Sequence, residues 1–290
     1  MTTDPAVDPE IESQYFFSAR YPERQRVYDA IDRLSADVRD THACTLDVPY
    51  GGHELERVDL FGGRPGAPLL VFIHGGYWRS MDKRSFSFVA GPFTKLGYSV
   101  AVLNYPLAPE TALPGIAASI DRALRWLNDA GRLRLPRFSS IVLAGHSAGG
   151  HLAALAATLF ESSARDASPV AGCACISGIF DLEPLMKTSL ASHIGLASAD
   201  VETLSPIALQ PFEGWMIVGV GAEETAGFID SQTKRFAASR DSHGLETTVT
   251  LLAASNHYTV LMDLARDDGL ILSAIEARVN GANHTGCEPA

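Results

Sequence analysis

Apolar residues along this chain follow two spacings in turn. Short continuous apolar runs recur near 69–74, 98–104, 139–146, 171–178, 215–221 and 247–253. Each suits a strand buried on both faces and is too short for an ordinary helix. Helical patterns fill the gaps, at about 83–96, 114–130, 148–161, 227–243 and 258–279. Strand alternating with helix predicts an α/β protein with a mostly parallel sheet and crossover connections. Residues 8–38 read as amphipathic helix, with Val27, Ile31 and Leu34 keeping one face and Pro22 opening a second helical segment. Residues 42–62 alternate around Gly51-Gly52 and predict a β-hairpin. The hairpin and the six runs make eight strands. No internal repeat breaks the pattern, so residues 1–290 are expected to form a single domain. Periodicity weakens over 183–212, after the sixth strand, where a lid-like insertion is expected, and the polar tail 280–290 is expected to be frayed.

Two of the predicted strands end in chemistry. Ile141-Val142-Leu143-Ala144 runs into Gly145-His146-Ser147-Ala148-Gly149, and a small-residue helix pattern follows. G-x-S-x-G between a buried strand and a helix start is a nucleophile elbow, a sharp turn that lifts the serine hydroxyl clear of the sheet. Upstream, Leu69–Ile73 runs into His74-Gly75-Gly76-Tyr77-Trp78. Such a turn can aim the backbone N–H groups of Gly75 and Gly76 at a developing oxyanion, with Ala148 N–H as a third donor. With eight strands and an antiparallel hairpin first, these features give the α/β-hydrolase arrangement: an eight-stranded, mostly parallel sheet flanked by helices.

In that arrangement the chain order is nucleophile, acid, histidine. His257, in Ala254-Ser255-Asn256-His257-Tyr258 after the last strand, is the histidine in the right place. The acid should follow the seventh strand, where Glu223 and Glu224 stand side by side and either could reach the histidine. Asp181, after the sixth strand, reads as a cap or loop anchor, and Asp230 lies too far into the next helix. Ser147 would attack a carbonyl carbon, His257 would take its proton and one of the two glutamates would hold the imidazole. This chemistry requires no metal and no cofactor.

Charge and cysteine content narrow the remaining classes. The net charge of −11 and the lack of a basic stripe exclude nucleic acid as an expected partner. No apolar run approaches a membrane span, and Met1–Pro5 carry no signal-peptide core, so a cytoplasmic protein with no membrane association is expected. Cys44, Cys173, Cys175 and Cys287 form no metal-binding pattern and read as reduced, buried thiols.

The segments His74–Trp78, Asn104-Tyr105-Pro106-Leu107-Ala108-Pro109-Glu110 and Gly145–Leu152 together resemble the hormone-sensitive-lipase-like branch of α/β hydrolases. Within it the chain looks most like the kynurenine formamidase (arylformamidase) group. The resemblance extends over roughly residues 14–279. It includes Gln14-Tyr15, Ala19-Arg20, Pro49-Tyr50-Gly51, Ser177–Leu182 and the stretch Glu224, Phe228, Gln232. It implies that Ser147, His257 and Glu224 match the family's nucleophile, histidine and acid. The family acid is often aspartate, so glutamate is a departure. It further implies a small aryl amide or ester as substrate. N-formyl-L-kynurenine comes first, and carboxylesterase activity on short acyl esters is the alternative. A catalytically silent binding protein on the same fold is a third reading, and a homodimer is left open. Tyr77, Trp78, Met186 and Ile194 are the expected substrate-binding residues, the last two from the insertion.

Overall fold

The computed structural model describes residues 7–16, 19–129, 131, 134–163 and 169–284. Eight strands form one sheet: β1 (Cys44–Pro49), β2 (Arg57–Phe61), β3 (Leu69–Ile73), β4 (Ser99–Leu103), β5 (Ile141–His146), β6 (Val170–Ile176), β7 (Trp215–Gly221) and β8 (Thr247–Leu252). Their order across the sheet is β1-β2-β4-β3-β5-β6-β7-β8. The first two strands pair antiparallel, as do β2 and β4, and every later pairing is parallel. The central strands are continuous apolar runs because both of their faces are covered. Leu69, Val71 and Ile73 of β3 join one core, while Leu70 and Phe72 join the other. The same alternation splits β5, where Ile141 and Leu143 face one way and Val142 and Ala144 the other.

The N-terminal pattern divides at Pro22 as expected, while other helical stretches are broken where the hydrophobic pattern predicts continuity. The N-terminal pattern is two helices, α1 (Pro9–Tyr15) and α2 (Arg24–Thr41). The second starts just past Pro22, with Glu23 before it. Val27, Ile31 and Ser35 form its buried face, and Ser35 Oγ accepts the Phe88 N–H at 3.1 Å. The stretch near 83–96 opens as 3-10 helix (Lys83–Val89) before α3 (Ala90–Lys95). After α4 (Leu113–Asn128) and α5 (Ala148–Ser163), the insertion folds as 3-10 helix (Glu183–Lys187), α6 (Ser189–Ile194), α7 (Ser198–Leu204) and a short 3-10 turn (Pro206–Ala208). A π-helical turn (Gly227–Lys234) leads into α8 (Arg235–Ser242). The final pattern is also interrupted: 3-10 helix (Thr259–Ala265) stops, and α9 (Leu270–His284) begins anew. The cause is Asp263, whose carboxylate accepts the N–H groups of Leu270 and Ile271, each at 2.9 Å. That is a side-chain cap a periodicity argument does not register.

No helix among the described residues is long and apolar enough to cross a membrane. Cys173 and Cys175 lie buried on one face of β6 with their Sγ atoms 3.3 Å apart, and neither is in a disulfide. Residues 1–6, which include the N-terminal segment assessed for a leader, lie outside the described residues. So do Cys287 and the end of the tail, 285–290.

Candidate active site

The elbow is built by close packing that only glycine allows. Ser147 sits between β5 and α5 with φ of 56°, the left-handed region that strains any residue with a Cβ. Its N–H donates to the Ile176 carbonyl at 2.8 Å and its carbonyl accepts from His151 at 3.0 Å. A Cβ at Gly149 would lie 2.0 Å from the Ile73 carbonyl oxygen, and one at Gly145 would lie 2.2 Å from the Gly149 oxygen. The turn can therefore be this tight only with both glycines in place.

From Ser147 a chain of hydrogen bonds runs inward. Ser147 Oγ lies 3.0 Å from His257 Nε2, and His257 Nδ1 lies 2.7 Å from Glu224 Oε2. A carboxylate only accepts, so Nδ1 carries the proton and Nε2 is free to accept from the serine hydroxyl. The second carboxylate oxygen, Oε1, accepts from Ser177 Oγ at 2.6 Å and from Gly221 N–H at 2.8 Å. Ser147, Glu224 and His257 are all buried. Glu223 points outward and is exposed; its backbone carbonyl accepts from the Tyr21 hydroxyl at 2.6 Å. Asp181 is occupied elsewhere, pairing with Arg235 and accepting the Glu183 N–H at 2.9 Å. Asp230 pairs with Lys234 on the surface.

The His257 ring is gripped from two sides. Phe228 lies 4.5 Å from it and His146 4.8 Å, centroid to centroid. His146 also donates from Nε2 to the His257 carbonyl at 2.8 Å. Burial, and then the neighbouring His257, push the His146 pKa well below its usual value, so His146 acts as a neutral donor. The strength of this contact is not visible in the motif, where His146 reads as a flanking residue.

The turn after β3 faces the elbow. A Cβ at Gly75 would lie 2.8 Å from the His146 carbonyl oxygen and 3.2 Å from Ser147 Cβ. Gly76 has φ of 104°, and Tyr77 and Trp78 follow at 50° and 58°. Among the described residues, the N–H groups of Gly75, Gly76 and Ala148 donate to no protein acceptor. A buried amide without a partner is costly, so amides left open beside a nucleophile suit an oxygen brought by substrate. Neighbours hold the turn in place. Tyr105 donates its hydroxyl to the His74 carbonyl at 2.9 Å, and Ala108 N–H donates to the Trp78 carbonyl at 2.8 Å.

A cavity of about 240 Å³ opens over Ser147. Gly75, Gly76, His146 and His257 line its floor, and its walls include Tyr15, Phe16, Tyr28, Tyr77, Tyr258 and Leu190. Three of the four expected substrate contacts need correction. Trp78 is fully buried and donates from Nε1 to His151 Nδ1 at 3.2 Å, so it anchors the turn. Ile194 lies in the core with 1% exposure and Met186 packs against that core; neither lines the cavity. The insertion reaches the cavity through Leu190.

The N-terminal segment supplies walls that the sequence reading did not assign. Phe16 stacks on Tyr77 at 5.8 Å with 6° between the rings, and Tyr77 donates its hydroxyl to the Tyr15 carbonyl at 2.5 Å. Glu12 ties the same segment to the insertion by accepting the Ser189 hydroxyl at 2.6 Å and the Ser189 N–H at 2.9 Å. Tyr15, Phe16, Phe17 and Tyr21 clustered in an otherwise polar stretch are the signal that could have marked a wall.

Comparison with known proteins agrees with this architecture. A family model described as BD-FAE matches residues 62–183. Kynurenine formamidase of Drosophila melanogaster is 28% identical over 246 residues, covering 80% of this chain and 81% of that protein. Esterase LipQ of Mycobacterium tuberculosis is 37% identical over 125 residues, which cover 40% of this chain and 29% of that protein. A solved structure from Silicibacter sp. tm1040 superposes with a TM-score of 0.80 at 28% identity, covering 92% of this chain and 99% of that one. The chain is a hydrolase of the α/β-hydrolase type. Within that class its similarity is to kynurenine formamidases over most of its length and to esterases over a shorter stretch.

Proposed function

We propose that the chain hydrolyses a small aryl formamide or amide, N-formyl-L-kynurenine first, with Ser147 as nucleophile, His257 as general base and acid, and Glu224 as the orienting carboxylate. The observation that carries this reading is the serine–histidine–carboxylate chain ending in a small aromatic cavity beside unpartnered amides. Pockets for small molecules usually span roughly 300–1,000 Å³. A cavity of about 240 Å³ suits a single-ring substrate with a short acyl group better than a long acyl chain.

His257 takes the Ser147 proton as Oγ attacks the formyl carbonyl carbon. Negative charge collects on the carbonyl oxygen, where the amides of Gly75, Gly76 and Ala148 receive it; one such donor is typically worth about 3 kcal/mol. His257 then gives the proton to the departing aryl amine as the C–N bond breaks. Water, activated by the same imidazole, attacks the formyl-enzyme, releases formate and returns the serine proton. Glu224 keeps the imidazole in the needed tautomer and offsets its charge when protonated.

The test is a paired assay of the purified protein with N-formyl-L-kynurenine and p-nitrophenyl acetate. A kcat/KM at least tenfold higher for the formamide supports the reading. The reverse ranking would make the protein a carboxylesterase, and no turnover of either, with no labelling of Ser147 by a fluorophosphonate, would leave the silent binding protein.

A further inference from the structure

The charge inside the cavity runs against the charge of the chain. Asp and Glu outnumber Lys and Arg by 34 to 23, yet among the described residues no carboxylate lines the cavity, while Arg79 does. Its guanidinium makes no ion pair or side-chain hydrogen bond among the described residues. Arg125, Arg235 and Arg266, for comparison, each pair with a carboxylate. The nearest acid in sequence, Asp82, is turned away: Oδ1 accepts the Arg84 N–H at 2.8 Å and Oδ2 accepts from Asn104 Nδ2 at 2.7 Å. Arg79 also belongs to the turn that presents the open amides, for its own N–H donates to the Gly76 carbonyl at 3.1 Å.

We infer that Arg79 is a specificity-determining residue that binds a carboxylate on the part of the substrate remote from the scissile bond. Arg79 is exposed, and it borders the cavity walled by Phe16 and Tyr77, where a bound substrate would cover it. Beside apolar walls a charge acts in a lower dielectric and pulls harder on an anion than it would in bulk water. The planar guanidinium can also hold a carboxylate through two parallel hydrogen bonds. A protein of net charge −11 repels anions overall, so selecting one requires a local cation. The inference rests on the proposed reading of the site as an acyl hydrolase for small aryl substrates, and it narrows that class to substrates that carry a carboxylate away from the scissile bond.

Binding measured without turnover separates the two claims. Ser147→Ala is titrated by calorimetry with N-formyl-L-kynurenine and with its carboxamide, and likewise with 4-oxo-4-phenylbutanoate and its amide. In each pair the carboxylate should bind about tenfold tighter. Arg79→Gln in the same background should bring the two members of each pair to equal affinity, and Arg79→Lys should keep part of the difference. Equal affinities in Ser147→Ala, or a difference that survives Arg79→Gln, would overturn the role of Arg79. If the carboxylates bind selectively while the unmutated protein fails to hydrolyse the formamide, the proposed reaction falls and the anion site stands.

Discussion

Ser177 and Glu224 are joined by a 2.6 Å hydrogen bond from the serine hydroxyl to carboxylate Oε1. The bond forms because Ser177 leaves β6 with φ of 50°, turning its side chain toward the end of β7. With Oε1 also held by the Gly221 N–H, Oε2 is left to accept from His257 Nδ1. Glu224 is therefore aimed at His257 before any substrate arrives.

Ser177→Ala should lower kcat about tenfold or more while KM stays within about twofold, since a hydrogen bond to a charged group is worth about 1.5–3 kcal/mol. Steady-state kinetics on a well-folded variant checks this. A loss confined to KM, or no loss, would mean that Ser177 does not position the acid.

Glu224→Gln should cost on the order of 10⁴ in kcat, the scale seen when an orienting carboxylate is replaced by its amide in a serine triad. Glu223→Gln should stay within about twofold, because Glu223 is exposed. Near-equal losses, or the opposite ranking, would remove Glu224 from the triad.

Leu190→Ala should change the ratio of formamide to ester turnover, because Leu190 lines the cavity. Ile194→Ala should leave that ratio alone and instead cost about 2–5 kcal/mol of stability, the usual range for emptying a buried aliphatic site. Urea unfolding and paired assays on both variants test the contrast. An unchanged ratio in Leu190→Ala would exclude the insertion from substrate choice.

Stability should fall on acidification below about pH 6.5. Burial lowers the pKa of His74 and of His151 to about 4 each, and lowers that of His146 well below the usual value. Between an unfolded value of about 6.5 and these folded values the unfolded chain binds more protons. Stability is thus fully present above about pH 6.5 and is lost as pH falls toward 4, by about 1.4 kcal/mol per pH unit for each histidine. Urea midpoints at pH 7.5, 6 and 5 should decline in that order. A flat series would show that these histidines take up protons without unfolding.

The order and type of the strands were legible because covered sheet faces demand continuous apolar runs. The elbow was legible because a Cβ on either of its glycines would fall about 2 Å from a backbone oxygen, so only glycine fits there. Less was legible where a side chain decided a boundary, as Asp263 does between the last two helical segments. The cavity walls were hardest. Tyr15 and Phe16 are remote in sequence from Ser147, and only the folded chain shows that Tyr77 carries the N-terminal segment across the site. Trp78 and Ile194 misled for the converse reason: apolar residues near a site are as often its support as its lining.

The aromatic rim begins at residue 15 and closes at residue 258, and the nucleophile's last partner is His257. During synthesis Ser147 is made long before the residues that activate it. A nascent chain arrested before β8 carries the elbow but lacks His257. Reactivity of the serine toward a fluorophosphonate should therefore switch on late, once His257 and Tyr258 have emerged from the ribosome, so that labelling of Ser147 can report completed folding of the whole sheet.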